Sequence, residues 1–174
     1  MMIDSCYSGS VESRIAAGQS LYQLLADQLR KDVHFMHEFA KLIGHAEDVN
    51  HHMGSMRLAP LCIQCSAKPT GGCCSLFMAG ETDALQMLMN LFADIEVIPV
   101  RDDGNECIFL GENGCIFLFK PMFCLNYNCY HIHEKSTSAE IAELERLTGV
   151  VLCKHYELEQ YLLGIIRRKH DGEV

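Results

Sequence analysis

The chain has 174 residues, a formal net charge of -9 and an apolar content of 49 %. That length predicts a single domain over 1–174 with room for a real core. No apolar run approaches the roughly 18–20 residues of a membrane span, and the acidic balance argues against a nucleic-acid partner held by phosphate neutralisation.

The first ten residues, MMIDSCYSGS, have neither a basic n-region nor an apolar h-region. They predict no secretory signal and a cytoplasmic location, with Cys6 in a loose tail. Residues 11–44 then read as one long amphipathic helix. Leu21, Leu25, Leu29, Val33, Met36, Ala40 and Ile43 recur at spacings of three or four, which puts them on one stripe. Gly44 is the expected stop. His34 and His37 on this helix, and the polar stretch His45 to His52, read as solvated or packed side chains rather than ligands.

Residues 60–133 form a cysteine-rich centre. Pro60, Pro69 and Gly71-Gly72 predict no long regular structure at its start. A short helix follows over ETDALQMLMNLFA, capped by Thr82 or Asp83, and its methionines between Met78 and Met89 read as core filling. Apolar residues Ile95 to Val100 lead to a turn at Arg101-Asp102-Asp103-Gly104. The tetrapeptide Cys107-Ile-Phe-Leu110 then recurs as Cys115-Ile-Phe-Leu118. Asn113-Gly114 between the two copies predicts a hairpin with a two-residue loop. In a regular hairpin Cys107 would face Lys120 and Cys115 would face Glu112, on the order of 17 Å apart. Either these two cysteines belong to separate sites or the ladder is broken.

Residues 137–169 read as two helices. The first opens with the capping box Thr137-Ser-Ala-Glu140 and stops at Gly149. The second runs from Val151 to Arg168, with Leu158, Leu162, Ile165 and Ile166 inward and Cys153 as a core thiol.

Eight of the ten cysteines lie between positions 62 and 129: Cys62, Cys65, Cys73, Cys74, Cys107, Cys115, Cys124 and Cys129. Cys62-Ile-Gln-Cys65 is a C-x-x-C, whose spacing on a tight turn lets two thiolates meet one ion. The vicinal pair follows Thr70-Gly71-Gly72, a loop whose N–H groups can converge on sulfur. Buried core cysteines are the competing reading. The thiols sit beside turn residues, however, and not on periodic apolar faces, which favours metal or redox chemistry. Tyr130-His131-Ile132-His133, if extended, would point both imidazoles to one side, where one could replace a cysteine as ligand, but the stretch reads first as a surface loop. No Ser–His–Asp order, phosphate-binding glycine loop or H-E-x-x-H occurs.

The ordered stretches CIQCSAKPTGGCC, CIFLGENGCIFLFKP and CLNYNC resemble the YkgJ-type cysteine-cluster family, described as a zinc- or iron-chelating domain. The resemblance implies that the eight cysteines are metal ligands. This chain carries Lys120-Pro121 where the family has Arg-Pro, and Cys124-Leu125 where it has Cys-Arg.

The sequence thus predicts an α+β, mostly helical fold, with long terminal helices around an irregular cysteine-rich centre holding one β-hairpin. It predicts chelation of zinc or iron, an iron–sulfur cluster included, and a protein partner as a further expectation. The alternative is a thiol–disulfide or iron–sulfur redox protein, with Cys73-Cys74 as the dithiol in the first case.

Overall fold

The computed structural model describes residues 3–171. In chain order they form α1 (Asp4–Tyr7), α2 (Val11–Lys31), α3 (Val33–Ser55), α4 (Leu58–Ser66), α5 (Leu76–Ala79) and α6 (Ala84–Phe92). A hairpin of β1 (Leu110–Gly111) and β2 (Gly114–Cys115) follows, then α7 (Met122–Asn126), α8 (Tyr130–Lys135) and α9 (Ser138–Asp171). The fold is α+β and mostly helical, with one small antiparallel hairpin, as the sequence predicts.

The expected single N-terminal helix is two helices. Asp32 leaves the helical region at ψ 101, and its side chain accepts a hydrogen bond from the Phe35 N–H at 3.0 Å. Asp is a strong N-cap because its carboxylate satisfies a donor the helix leaves unpaired. The same carboxylate accepts from the Tyr161 hydroxyl at 2.6 Å, tying the joint to α9. One extended residue resets the phase of the apolar stripe. Val33 and Met36, expected inside, are exposed, while Phe35, Phe39, Leu42, Ala46 and Val49 are buried. α3 passes Gly44 without stopping, because burying Leu42 and Ala46 outweighs the roughly 1 kcal/mol that glycine costs a helix.

The C-terminal pair is one helix for the same reason. The capping box forms, with the Thr137 N–H donating to Glu140 Oε2 at 2.7 Å and the Glu140 N–H donating to Thr137 Oγ1 at 3.2 Å. Leu144, Val151, Leu158 and Leu162 then keep one buried stripe across Gly149, which is exposed.

α2 packs on α6 and α3 on α9, and these four helices enclose the main core. Phe39 meets Phe92 and Phe119 edge-on at centroid distances of 5.1 and 5.6 Å. Met87 and Met89 are fully buried, as core filling requires. The two outlying cysteines exchange their expected places. Cys6 lies fully buried in the core because α1 folds back onto α2 and α6, while Cys153 is exposed because it falls off the α9 stripe. A smaller core of Ile15, Ala79, Met87, Val97, Phe109 and Phe117 lies under the hairpin.

Gln86 and Asn90 of α6 are buried polar side chains with one target. Gln86 Nε2 and Asn90 Nδ2 each donate to Phe119 O at 3.0 Å, and Asn90 Oδ1 accepts from the Phe119 N–H at 3.1 Å. Asn90 thus supplies both halves of a strand-like pairing to a segment with no strand beside it. Among the described residues no helix is long and apolar enough to cross a membrane.

Burial pushes His155 of α9 down to about 4 from its ordinary 6.5, and its Nε2 has no hydrogen-bond partner among the described residues. Between those values the unfolded chain binds the extra proton. The histidine's contribution to stability is therefore complete above pH 6.5 and is lost as pH falls toward 4. Asp83 acts oppositely. Burial raises it to about 6, so its contribution is complete below the ordinary 3.8 and is lost as pH rises through 6. Replacing His155 with Phe should therefore reduce the acid-side loss of stability. The check is urea unfolding of both proteins at about pH 4.5 and about pH 7. An unchanged difference between the two pH values would clear His155 of any role.

Candidate metal centre

Pro60 does not prevent regular structure, because it lies in the first turn of α4, where its missing N–H would be unpaired in any case. The C-x-x-C is consequently helical and not a tight turn, with Cys62 and Cys65 three residues apart on one side of α4. The 67–72 loop then closes onto the end of this helix. A Cβ added to Gly72 would lie 2.9 Å from the Cys65 carbonyl carbon and the Ser66 nitrogen, so only glycine permits the approach that sets Cys73 and Cys74 beside α4.

An isolated antiparallel bridge, Ser75 with Glu106, brings in the next cysteine. The Cys107 N–H donates to Cys74 O at 3.0 Å, and the Leu76 N–H donates to Asn105 O at 2.9 Å. The buried Glu106 carboxylate accepts from Ser66 Oγ at 2.6 Å and pairs with the Arg101 guanidinium, locking this strand to α4.

The hairpin pairs Leu110 with Cys115 and Gly111 with Gly114, so its loop is Glu112-Asn113 and not Asn113-Gly114. Each strand is two residues long. The Leu110 N–H donates to Cys107 O at 2.9 Å, so the chain turns at 107–110 where a regular ladder would continue. The ladder is broken, which is one of the two alternatives the sequence leaves open. Cys107 lies at the start of that turn, and the Cys115 thiol helps to raise it.

Cys124 sits on α7, which starts after Pro121, and Cys129 occupies the N-cap position of α8. The segment 130–135 is helical and not extended, so His131 and His133, about 200° apart around the axis, do not point to one side. The His131 ring approaches Lys68 Nζ at 3.5 Å.

Four thiols from four elements line one cavity of about 440 Å³: Cys62 of α4, Cys74 of the loop, Cys115 of β2 and Cys124 of α7. Met53, Leu58, Ile95, Leu110 and Phe117 supply apolar wall, and Asn50, Asn113 and Lys120 are the polar side chains that line it with the thiols. No carboxylate is among the lining residues. Cys73 and Cys107 join this group from just outside the cavity through electrostatic coupling. Cys65 and Cys129 lie on neighbouring elements, since α4 packs on α8. Among the described residues, no three His, Cys, Asp or Glu side chains already converge as a coordination set. The thiols ring a space and do not meet at a point.

Every shift among these thiols is upward. Cys73 is raised by donating to Cys74 and by burial, and Cys74 by donating to Cys62 and by burial. Burial pushes Cys107 to about 11 and Cys124 to about 12, with neighbouring thiols adding to both. Burial also raises Cys115, against the pull of Lys120. Lys120 is itself lowered by burial and held up by Cys115 and Cys124. Such thiols are poor nucleophiles, because attack needs the thiolate. A thiophilic cation can replace their protons and supply the missing charge.

Lys120 enters the sequence reading as the Lys-Pro that stands for the resembled family's Arg-Pro, and Asn50 is the site residue that no motif reveals. The signal for Lys120 is a single charge inside the apolar run Phe117 to Phe123. Asn50 has no such signal, since it reaches the cavity from α3, in a stretch that reads as solvated.

Compared with protein-family models, with curated proteins and with solved structures, the chain matches none.

Proposed function

We propose that the chain is a metal-binding cysteine-cluster protein in which the eight clustered cysteines chelate zinc or iron, the cavity thiols Cys62, Cys74, Cys115 and Cys124 serving as the central set. The observation that carries this reading is that four thiols from four separate elements line one carboxylate-free cavity. An all-sulfur donor set suits zinc and iron–sulfur clusters and disfavours hard cations such as magnesium or calcium. Zinc would contribute folding energy to a centre with little regular structure, and an iron–sulfur cluster would add electron transfer. The ordered cysteine pattern of the YkgJ-type resemblance agrees with this reading.

The thiol–disulfide alternative draws on the Cys73, Cys74 and Cys62 hydrogen-bond series. Raised thiols weigh against it, because dithiol oxidoreductases work through lowered ones. A cytoplasmic location accompanies the metal reading, since reducing compartments keep such thiols available. A protein partner accompanies it too, because Phe77, Met122 and Tyr130 are exposed on the short helices around the cysteines.

The test is elemental analysis of anaerobically purified protein. Stoichiometric zinc in a colourless protein, or iron with a brown colour, is the expected result. Metal-free protein that takes up neither ion on reconstitution would overturn the reading.

A further inference from the structure

We propose that Lys120 is the counter-charge of the thiolate site, a positioning residue whose ammonium offsets the negative charge that metal-bound thiolates bring into an apolar cavity. This rests on the metal reading above and goes beyond it by assigning a non-ligand the control of affinity.

Four thiolates around a dication leave a net formal charge of about −2, and the same holds for a cluster core of charge +2. Placing that charge against Leu58, Ile95 and Phe117 is costly without a compensating group, because apolar walls cannot solvate it. Lys120 is the only cationic side chain among the cavity's lining residues. It lines the same cavity as Cys115 and Cys124, the two ligand candidates nearest it in sequence, and its charge favours the thiolate of each.

The ammonium is also aimed. Its nitrogen donates to Asn50 Oδ1 and to Phe117 O, the latter at 3.3 Å. Two of its three N–H groups are held by these oxygens, which fixes the ammonium at the wall of the cavity that the side chain lines. Asn50 is fixed in turn by its Nδ2, which donates to Leu118 O at 3.4 Å. Asn90 and Gln86 grip Phe119, the residue before the lysine, so the backbone that carries it is held as well. A lysine needed only for solubility would not be tied down by two helices.

Partners that orient ligands from outside the coordination sphere typically change metal affinity roughly 10–100-fold. Anaerobic cobalt(II) titration, read by thiolate-to-cobalt charge-transfer absorbance, tests the assignment on wild type, Lys120→Met, Lys120→Arg and Asn50→Leu. Lys120→Met should bind cobalt roughly 10–100-fold more weakly. Lys120→Arg should stay within a few-fold of wild type, because it keeps the charge without matching the shape. Asn50→Leu should bind several-fold more weakly, and it decides the matter if Lys120→Met does not fold. Wild-type affinity in both Lys120→Met and Asn50→Leu would overturn the inference while leaving the metal reading intact. Equal losses in Lys120→Met and Lys120→Arg would also overturn it, by showing a packing role. Wild-type protein without the charge-transfer band would overturn the metal reading and the inference with it.

Discussion

Replacing Asn90 with leucine should destabilise the protein by about 2–4 kcal/mol, although the two side chains share the same branched shape. The expectation follows from the accounting around Phe119. Asn90 is fully buried and is the acceptor for the Phe119 N–H, while its amide donates to Phe119 O and, at 2.9 Å, to Gln86 O. Leucine leaves that N–H without a partner in the core. Phe119 O keeps the Gln86 amide and so is only half orphaned. The large cost comes from the unpaired donor, since exchanging a paired polar group for an apolar one is cheap only when both partners go. Urea unfolding followed by circular dichroism gives the number, and a loss below about 1 kcal/mol would show that water or a backbone shift satisfies Phe119. The same substitution should weaken cobalt binding, because Phe119 leads directly into Lys120 and Cys124.

Gly114 to alanine should cost about 2–4 kcal/mol through two separable terms. The first is conformational. Gly114 has φ +103, a region that side chains other than hydrogen occupy only with strain. The second is steric. The new Cβ would lie 2.9 Å from the Cβ of Ala59, where β2 packs against α4. Adding Ala59→Gly removes the clash and leaves the backbone strain, so the double variant should recover part of the loss. Full recovery would assign the whole effect to the clash, and no recovery would assign it to the backbone. Because this contact holds Cys115 against the helix of Cys62, the single variant should also spread two of the four cavity thiols.

Gly114 also explains why the hairpin's register was not legible. Asn-Gly reads as a primed two-residue turn, which needs positive φ at both residues. Here positive φ falls at Gly114 and not at Asn113. The glycine is spent on the approach to Ala59, a tertiary contact that no local pattern encodes. Asp32 shows the opposite case. Its capping chemistry was available in the sequence, but the apolar spacing runs through it and suggests one stripe, where burial of Phe35 and Phe39 defines another. Glycines at 44 and 149 misled for a related reason. Their intrinsic cost is small beside the apolar faces on either side of them. The capping box at Thr137, the α6 cap at Asp83 and the inward residues of α9 were legible because local chemistry and tertiary burial agree there. The cysteines were legible as a group through their crowding alone. That Cys62, Cys74, Cys115 and Cys124 share one cavity depends on the Gly72 approach, the turn at 107–110 and the Ser75 to Glu106 bridge, which are set by three-dimensional packing.

The division between the helical frame and the cysteine centre bears on how an ion would come and go. α2, α3, α6 and α9 supply most of the main core, to which the cysteine centre adds Leu58, Phe119, Leu125 and Ile132, whereas the thiols hang on a nine-residue helix, two-residue strands and short turns. Units with few buried apolar contacts open at a lower free energy than the whole molecule. Exchange of an ion bound there would therefore proceed by sub-global opening of the centre, with amide protons in α2, α3, α6 and α9 staying protected while those around residues 71–75 and 107–115 are released. Residence time would then be governed by the small core of Val97, Phe109 and Phe117 beneath the hairpin, which Ile15 of α2 and Met87 of α6 tie to the frame.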